Sequence, residues 1–367
     1  MNPRIDPASD LALARAVDDL RRGEAVRIVD GDVALTIISA ELATAESLSG
    51  LEQHRHADLL ITPERAATLN LLNQRAAADS HGAVAIARMP WLDLVTSIAA
   101  ADPVSDLAMP FKGPFPTRPL ERHARAATAA LALAKRAGLL PAALFAVADT
   151  PRPPDMLEAD AQAILAWRRA PRLNIVSRAR LPLEGAEDTQ VVAFRPQDGG
   201  PEHLALLIAK SGATGHPHVP LVRLHSACLT GDVLGSLKCD CGPQLRSAVS
   251  RIGEEGGILL YLQQEGRGIG LMNKLRAYQL QDQGFDTVDA NLHLGFQDDE
   301  RDFDIAAAML KMLGVMEIRL LTNNPLKAEM LAAEGIKIAE RVSHKLPPNP
   351  HNAHYLVTKR DRQRHIL

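Results

Sequence analysis

Aromatic side chains make up only 3% of this chain. So sparse a supply argues against the stacking platforms on which proteins hold unpaired bases. No excess of one charge sign is present either: 41 basic side chains face 44 acidic ones, a formal net charge of -3. A general nucleic-acid surface or an anionic membrane face calls for a basic excess, so neither partner is expected. Cysteine is rarer still, three residues in 367. An odd, small number of thiols does not build a disulfide scaffold, and the expectation is a reducing, cytoplasmic setting. The N-terminus, Met1 to Pro7, has no apolar stretch behind a basic start, so no signal peptide is expected. The longest apolar run, around Leu139 to Ala148, is too short to span a bilayer.

What is present describes a globular protein. Hydrophobic residues make up 46% and charged residues 23% of the chain, enough for real cores. A length of 367 residues predicts two domains. In the first half, Asp10 to Arg22 has Leu11, Leu13, Ala16, Val17 and Leu20 at helical spacing, with Gly23 as a stop. Ala25 to Val29 and Val33 to Ile38 read as strands around the hairpin signal Asp30-Gly31-Asp32. Ala124 to Arg136 reads as a helix, Ala142 to Ala148 as a buried strand, Pro151 to Pro154 as a loop and Leu157 to Arg168 as a further helix. Composition changes at Arg168 to Arg172, and Ser177 to Pro182 opens a new domain. The boundary is placed near residue 175, giving domains 1–175 and 176–367. The expected class is α/β of mixed character, each domain a mixed sheet with packed helices.

Several pieces of the first half resemble 3,4-dihydroxy-2-butanone 4-phosphate synthase. They are Val17 to Gly23, Ala40 to Thr44, Ile61 to Ala66 and Ala137 to Ala142. That family carries an acidic, arginine-containing metal loop after its first strand; here the loop is only Asp30-Gly31-Asp32. The family's Gly-His-Thr-Glu motif corresponds to Arg125-Ala126-Ala127-Thr128. Alanine can neither bind magnesium nor move a proton. The resemblance therefore implies a domain that kept the fold and lost the chemistry, serving as scaffold or dimerisation platform.

All three cysteines, Cys228, Cys239 and Cys241, fall in one short stretch. Thiolates bind zinc, and three protein ligands are what a catalytic zinc site uses, leaving a fourth position for water. Gly242-Pro243 reads as a helix start, whose partial positive charge favours thiolate over thiol. The alternatives are three buried small residues, or a structural zinc, for which His225 is the near fourth ligand. Strands are expected at Thr189 to Arg195, Leu204 to Ile208, Val219 to Leu224 and Gly257 to Leu262. The last delivers Glu265-Gly266-Arg267-Gly268-Ile269-Gly270, a loop that is either an anion cradle or a plain turn. Leu271 to Gln283 reads as a helix with Leu271, Leu275 and Tyr278 on one face, where a tyrosine is a core residue by pattern. A helix over Glu300 to Leu313 would put Arg301 in its first turn, against the dipole, either solvated or holding a phosphate. Asn324 and Pro325 cap the helix after the strand Ile318 to Leu321, and Lys327 in that helix's first turn supports an anion there.

Together these motifs resemble GTP cyclohydrolase II over roughly Ser177 to Leu367. The resemblance is carried by His-Ser-x-Cys-Leu-Thr-Gly-Asp (225–232), Leu-Lys-Cys-Asp-Cys-Gly (237–242) and Gln-Glu-Gly-Arg-Gly-Ile-Gly-Leu (264–271). Arg-Ala-Tyr-Gln-Leu-Gln-Asp-Gln-Gly (276–284), Asp-Glu-Arg-Asp-Phe (299–303) and Leu-Thr-Asn-Asn-Pro (321–325) extend it. It implies Cys228, Cys239 and Cys241 as ligands of one zinc ion per subunit, activating water for attack on C8 of guanine. It implies Tyr278 as an aid to the ring step, Arg301 as nucleophile towards the α-phosphorus with loss of pyrophosphate, and Asp299 as proton acceptor. Arginine's pKa above about 12 makes stabilisation of α-phosphate charge the conservative role for Arg301. Arg223, Leu224, His225, Ser226, Gln244, Glu265, Gly266, Arg267, Thr287, Thr322 and Lys327 match the family's other GTP contacts, with Mg²⁺ on the triphosphate. The implied products are formate, pyrophosphate and 2,5-diamino-6-(5-phosphoribosylamino)pyrimidin-4(3H)-one, at the first step of riboflavin biosynthesis, in a homodimer.

One position departs from the family. Ala227 stands where a glutamate usually precedes the first zinc cysteine, and weaker handling of nucleotide or metal is the expectation. Three other readings stay open: an enzyme that stops at the formylated intermediate, a non-catalytic GTP scaffold or sensor, and a zinc-bearing nucleic-acid module. The low aromatic content and acidic balance speak against the last.

Overall fold

The computed structural model describes residues 7–53, 55–148, 155–167, 173–210 and 219–347, with 350 and 362. The loop expected at 151–154, the composition break at 168–172 and the tail beyond 347, those two residues apart, lie outside the described residues. The chain forms two compact units, Met1–Arg168 with Met272–Glu300, and Arg169–Leu271 with Arg301–Leu367. Residues 272–300, assigned from the sequence to the second domain, group with the first unit.

The first unit runs α1 (Pro7–Arg21), β1 (Val26–Asp30), β2 (Val33–Ser39), α2 (Ala45–Leu51), β3 (Asp58–Ile61), α3 (Pro63–Thr68), α4 (Arg75–Ala78), β4 (Val84–Ile86), α5 (Leu94–Ala101), β5 (Thr117–Arg118), α6 (Ala124–Arg136), β6 (Ala142–Val147), β7 (Leu157–Asp160) and α7 (Ala161–Ala166). Its sheet has the order β5-β4-β3-β6-β2-β1-β7. All neighbours are antiparallel except β1 and β7, which are parallel. The register Asp30↔Val33 leaves Gly31-Asp32 as a two-residue turn, with Gly31 at φ 62, as a primed hairpin turn requires. α6 packs through Ala126, Ala127, Ala129, Ala130 and Ala134, small side chains that let a helix lie close on a sheet.

The second unit contains β8 (Leu173–Arg180), β9 (Thr189–Pro196), β10 (His203–Ile208), β11 (Leu221–Ser226), α8 (Cys241–Glu255) and β12 (Gly257–Leu262). The chain then passes through α9 (Leu271–Asp282) and α10 (Thr287–His293) before α11 (Asp304–Met312), β13 (Glu317–Leu321), α12 (Pro325–Ala333) and β14 (Lys337–Val342). The sheet order is β14-β13-β11-β12-β10-β9-β8. From β14 to β12 the neighbours are parallel; from β12 to β8 they are antiparallel. β11 and β12 lie inside the sheet and read as nearly continuous buried runs, as strands covered on both faces do. Phe194, fully enclosed in this core, contributes about 2 kcal/mol by burial. Because β11, β12 and β13 run the same way, residues 226–228, 263–267 and 322–327 all emerge at one edge, the usual ligand edge of a parallel sheet.

Four expectations are corrected. Residues 157–168 are not one helix: 157–160 pair with β1 as an edge strand, and the Asp160 carboxylate, accepting from Ala163 N–H at 2.7 Å, starts the helix there. The helix expected from Glu300 begins at Asp304, so Arg301 precedes it and opposes no dipole. Asp302 Oδ1 instead accepts from Asp304 N–H at 2.8 Å and turns the chain into that helix. α8 begins at Cys241 rather than Pro243; a proline is tolerated at its third position because N–H groups of the first turn lack helical partners anyway. On α9 the buried face is Asn273, Lys274, Ala277 and Leu280, while Leu275 is exposed. Asn273 Nδ2 donates to Gly138 O, and Arg276 pairs with Glu41 and Asp102, so polar partners inside the first unit set that face.

Candidate metal centre

β11 delivers Cys228 two residues past its end, and α8 delivers Cys241 at its first turn with Cys239 just before. The three sulfurs lie within 4.8 Å of one another, Cys228 and Cys239 at 3.7 Å. Cys228 and Cys239 are buried and Cys241 half-buried. Hydrogen bonding to Cys228 pushes the Cys239 thiol up to about 11 and raises that of Cys241 as well. Crowded sulfurs resist ionisation until a cation supplies the opposing charge, which is the condition a metal ion meets. The donor set fits a thiophilic ion of tetrahedral preference such as zinc.

The floor of this cluster is Gly231, in the π-helical turn Leu229–Val233. A Cβ there would meet Cys239 Sγ at 2.7 Å and Cys228 Sγ at 3.0 Å. Its N–H points at Cys228 Sγ from 3.3 Å. Asp232 in the same turn accepts from Cys228 N–H at 3.0 Å and from Tyr261 O–H at 2.9 Å. His225 is not a fourth ligand: its Nε2 lies 3.0 Å from Asp232 Oδ2, and only the three cysteines make up the cluster among the described residues. Burial lowers the pKa of His225, despite the nearby carboxylate that raises it, so the ring is neutral and donates to Asp232. Burial and the Asp232 carboxylate together raise the pKa of Tyr261.

Around the cluster the second unit gathers most of the remaining expected residues. Arg223 is buried, donating from Nη1 to Leu321 O at 3.1 Å and from Nη2 to Gln244 Oε1 at 2.5 Å. Its Nε is buried with no hydrogen-bond partner among the described residues. Burial lowers its pKa to about 10, so it remains a cation at neutral pH. Gln244 passes the connection to Asp240, which precedes α8. Leu224 is buried and its carbonyl accepts from Lys327 Nζ at 3.1 Å; Ser226 Oγ is buried with no hydrogen-bond partner among the described residues. Lys327 Nζ and the Arg301 guanidinium lie 5.2 and 5.4 Å from the centroid of the Phe303 ring. Thr322 Oγ1 accepts from Asn324 N–H, and Asn324 caps α12 as expected. In the glycine loop, Gly266 and Arg267 take left-handed φ of 61 and 62, the second a strained conformation for a side-chain-bearing residue. Glu265 Oε2 accepts from Leu229 N–H at 2.7 Å, so this carboxylate ties the glycine loop to the turn after Cys228.

Three expected residues belong to the first unit. Tyr278 is half-buried on α9, with Lys274 Nζ 5.6 Å from its ring centroid. Thr287 opens α10 and accepts from Gln281 Nε2. Asp299 is exposed in the segment before α11. The sequence reading passed over Gly231, Asp232 and Tyr261. The Thr-Gly-Asp run was visible, but nothing local shows that its aspartate meets a tyrosine 29 positions away.

Residues 174–343 match the family model for GTP cyclohydrolase II. The chain is 44% identical to the GTP cyclohydrolase-2 of Azospirillum brasilense over 378 aligned residues, covering 99% of this chain and 96% of that protein. It is 54% identical to the GTP cyclohydrolase-2 of Escherichia coli over 197 residues, 53% of this chain and 98% of that protein. Among solved structures, a two-domain 3,4-dihydroxy-2-butanone 4-phosphate synthase from A. baumannii covers 91% of this chain and 99% of its own, with 18% identity and a TM-score of 0.33, too slight a likeness to argue from.

Proposed function

The chain belongs to the GTP cyclohydrolase II family, and from that membership we propose that it opens the imidazole ring of GTP by hydrolysis, releasing formate and pyrophosphate. The observation that carries this reading is the trio of closely set thiols at the ligand edge of the parallel sheet. A zinc ion held by Cys228, Cys239 and Cys241 would supply the means of activating water for hydrolysis at neutral pH.

The chain's own groups do the binding and orienting. Cys228, Cys239 and Cys241 would hold the ion. Arg223 is fixed at two of its nitrogens before any ligand arrives, so no side-chain freedom is lost on binding. Arg301 and Lys327, two cations beside one ring, suit the phosphates and Mg²⁺ of the nucleotide, with Arg301 at the α-phosphate. Gly266 and Arg267 lie in a glycine-rich loop at the strand end, where glycines without side chains allow an anion to approach the backbone closely. The roles of Tyr278 in the ring step, Asp299 as proton acceptor and Thr287 as a nucleotide contact rest on the family resemblance alone. Ala227 is buried and its N–H continues the pairing with β12 to Leu262 O, so its difference from the family lies in the missing carboxylate, and weaker handling of nucleotide or metal follows. The active form is a homodimer with one zinc ion per subunit, in the cytoplasm.

The test is GTP and Mg²⁺ with the zinc-loaded protein, scored for formate and product mass. One formate per product is expected. A product that keeps the formyl group points to an enzyme that stops early, and GTP bound without turnover points to a sensor; either result overturns the proposal.

The first domain, 1–175, keeps a synthase-like fold without its chemistry under the same proposal. Ala126 and Ala127 are fully buried where the family has catalytic groups. Asp30 is paired with Arg125 and Asp32 with Arg122, so arginines take up the charge of the shortened acidic loop. The full chain given ribulose 5-phosphate and Mg²⁺ should yield no 3,4-dihydroxy-2-butanone 4-phosphate; accumulation of that product would show the domain to be active.

A further inference from the structure

We infer that Asp232 is the positioning residue of the metal centre, holding Cys228 in the orientation a ligand needs. The inference rests on the reading of the three cysteines as a zinc site. Asp232 grips Cys228 from both sides of its backbone: the carboxylate accepts from Cys228 N–H at 3.0 Å, and Asp232 N–H donates to Cys228 O at 2.7 Å. With its N–H and C=O both held, the Cys228 backbone cannot rotate, and the direction of its Cα–Cβ bond is set. The π-helical turn Leu229–Val233 that follows places Gly231 N–H 3.3 Å from Cys228 Sγ, a contact that orients the sulfur itself.

The carboxylate is itself anchored. Tyr261 O–H donates to Oδ2 at 2.9 Å, and His225 Nε2 stands 3.0 and 3.1 Å from its two oxygens. The Tyr261 and His225 rings stack at 5.5 Å with their planes 19° apart, tying the acid to neighbouring strands β12 and β11. The side chains of His225 and Asp232 are only 3% and 2% exposed. Burying a carboxylate is costly unless several donors meet it, and here three do. Filling space would not require an acid. An acid is required to draw a backbone N–H, a phenol and an imidazole to one point and hold the sulfur's own residue there. Groups standing one step behind a metal ligand commonly set its affinity in this way.

The experiment measures zinc affinity of the full-length protein by competition with a chromogenic chelator, beside its circular dichroism spectrum. Asp232→Asn keeps the volume but turns one acceptor oxygen into a donor facing other donors. It should bind zinc roughly 10- to 100-fold more weakly than the unaltered chain. Tyr261→Phe removes one anchor only and should weaken binding by a smaller factor with the spectrum unchanged. If the unaltered chain binds no zinc, the metal reading itself fails. If it binds and both variants match its affinity, the role given to Asp232 is overturned. Should Asp232→Asn not fold, Tyr261→Phe decides alone, and unchanged affinity there overturns it.

Discussion

Serine in place of Cys239 should stop formate production almost entirely while GTP still binds. Cys239 is buried, with its sulfur 3.7 Å from that of Cys228. A serine hydroxyl is a far poorer zinc ligand than a thiolate, and two sulfurs do not hold the ion at the low free concentrations of a cell. On the proposed mechanism water goes unactivated without the ion, and the rate should fall by more than roughly 10³-fold. The residues proposed for the phosphates are untouched, so calorimetric GTP affinity should change little. Zinc content by atomic absorption and formate by enzymatic assay decide the matter together. Formate released at an unchanged rate would remove zinc from the mechanism.

Gly231→Ala should produce the same loss by a different physical route. No ligand is removed and no charge is changed. The added methyl would stand 2.7 Å from Cys239 Sγ, 3.0 Å from Cys228 Sγ and 3.0 Å from Cys241 Cβ. A carbon essentially never approaches that closely, so either the sulfurs separate or the turn shifts. Either movement spreads a donor set whose distances to zinc tolerate only a few tenths of an ångström. Zinc occupancy should drop below half after dialysis, with formate production falling in proportion. An alanine variant that retained a full complement of zinc would show that the turn can yield without disturbing the cluster.

These two effects also show what a linear sequence can and cannot display. Residue type is local, so the three cysteines could be named as candidate ligands before any fold was known, and the fold brings their sulfurs within 4.8 Å of one another. Punctuation was equally local: Asn324 and Pro325 cap α12, Gly31 makes its turn and Gly257–Leu262 is a strand as read. The misreadings arise where a distant partner overrides a local pattern. The apolar face expected on α9 is turned outward at Leu275, because Asn273 and Arg276 find hydrogen-bond partners more than a hundred residues away. A helix seemed natural across 157–168 because its first four residues carry no sign that β1 would recruit them. The crowding at Gly231 was invisible for the same reason, since its neighbours in space are side chains from both ends of a long turn.

The path between β12 and β13 sets the terms for dividing the molecule. Between those strands the chain leaves the second unit at residue 271 and returns at residue 301, so the units are joined by three chain passages rather than one linker. A truncation that began near residue 175 would strip Arg276 of Glu41 and Asp102, and Asn273 of the Gly138 carbonyl, all at once. In this chain the amino-terminal half is thus a mortise in which a piece of the carboxy-terminal half is seated, and removing it would leave residues 272–300 without their packing partners.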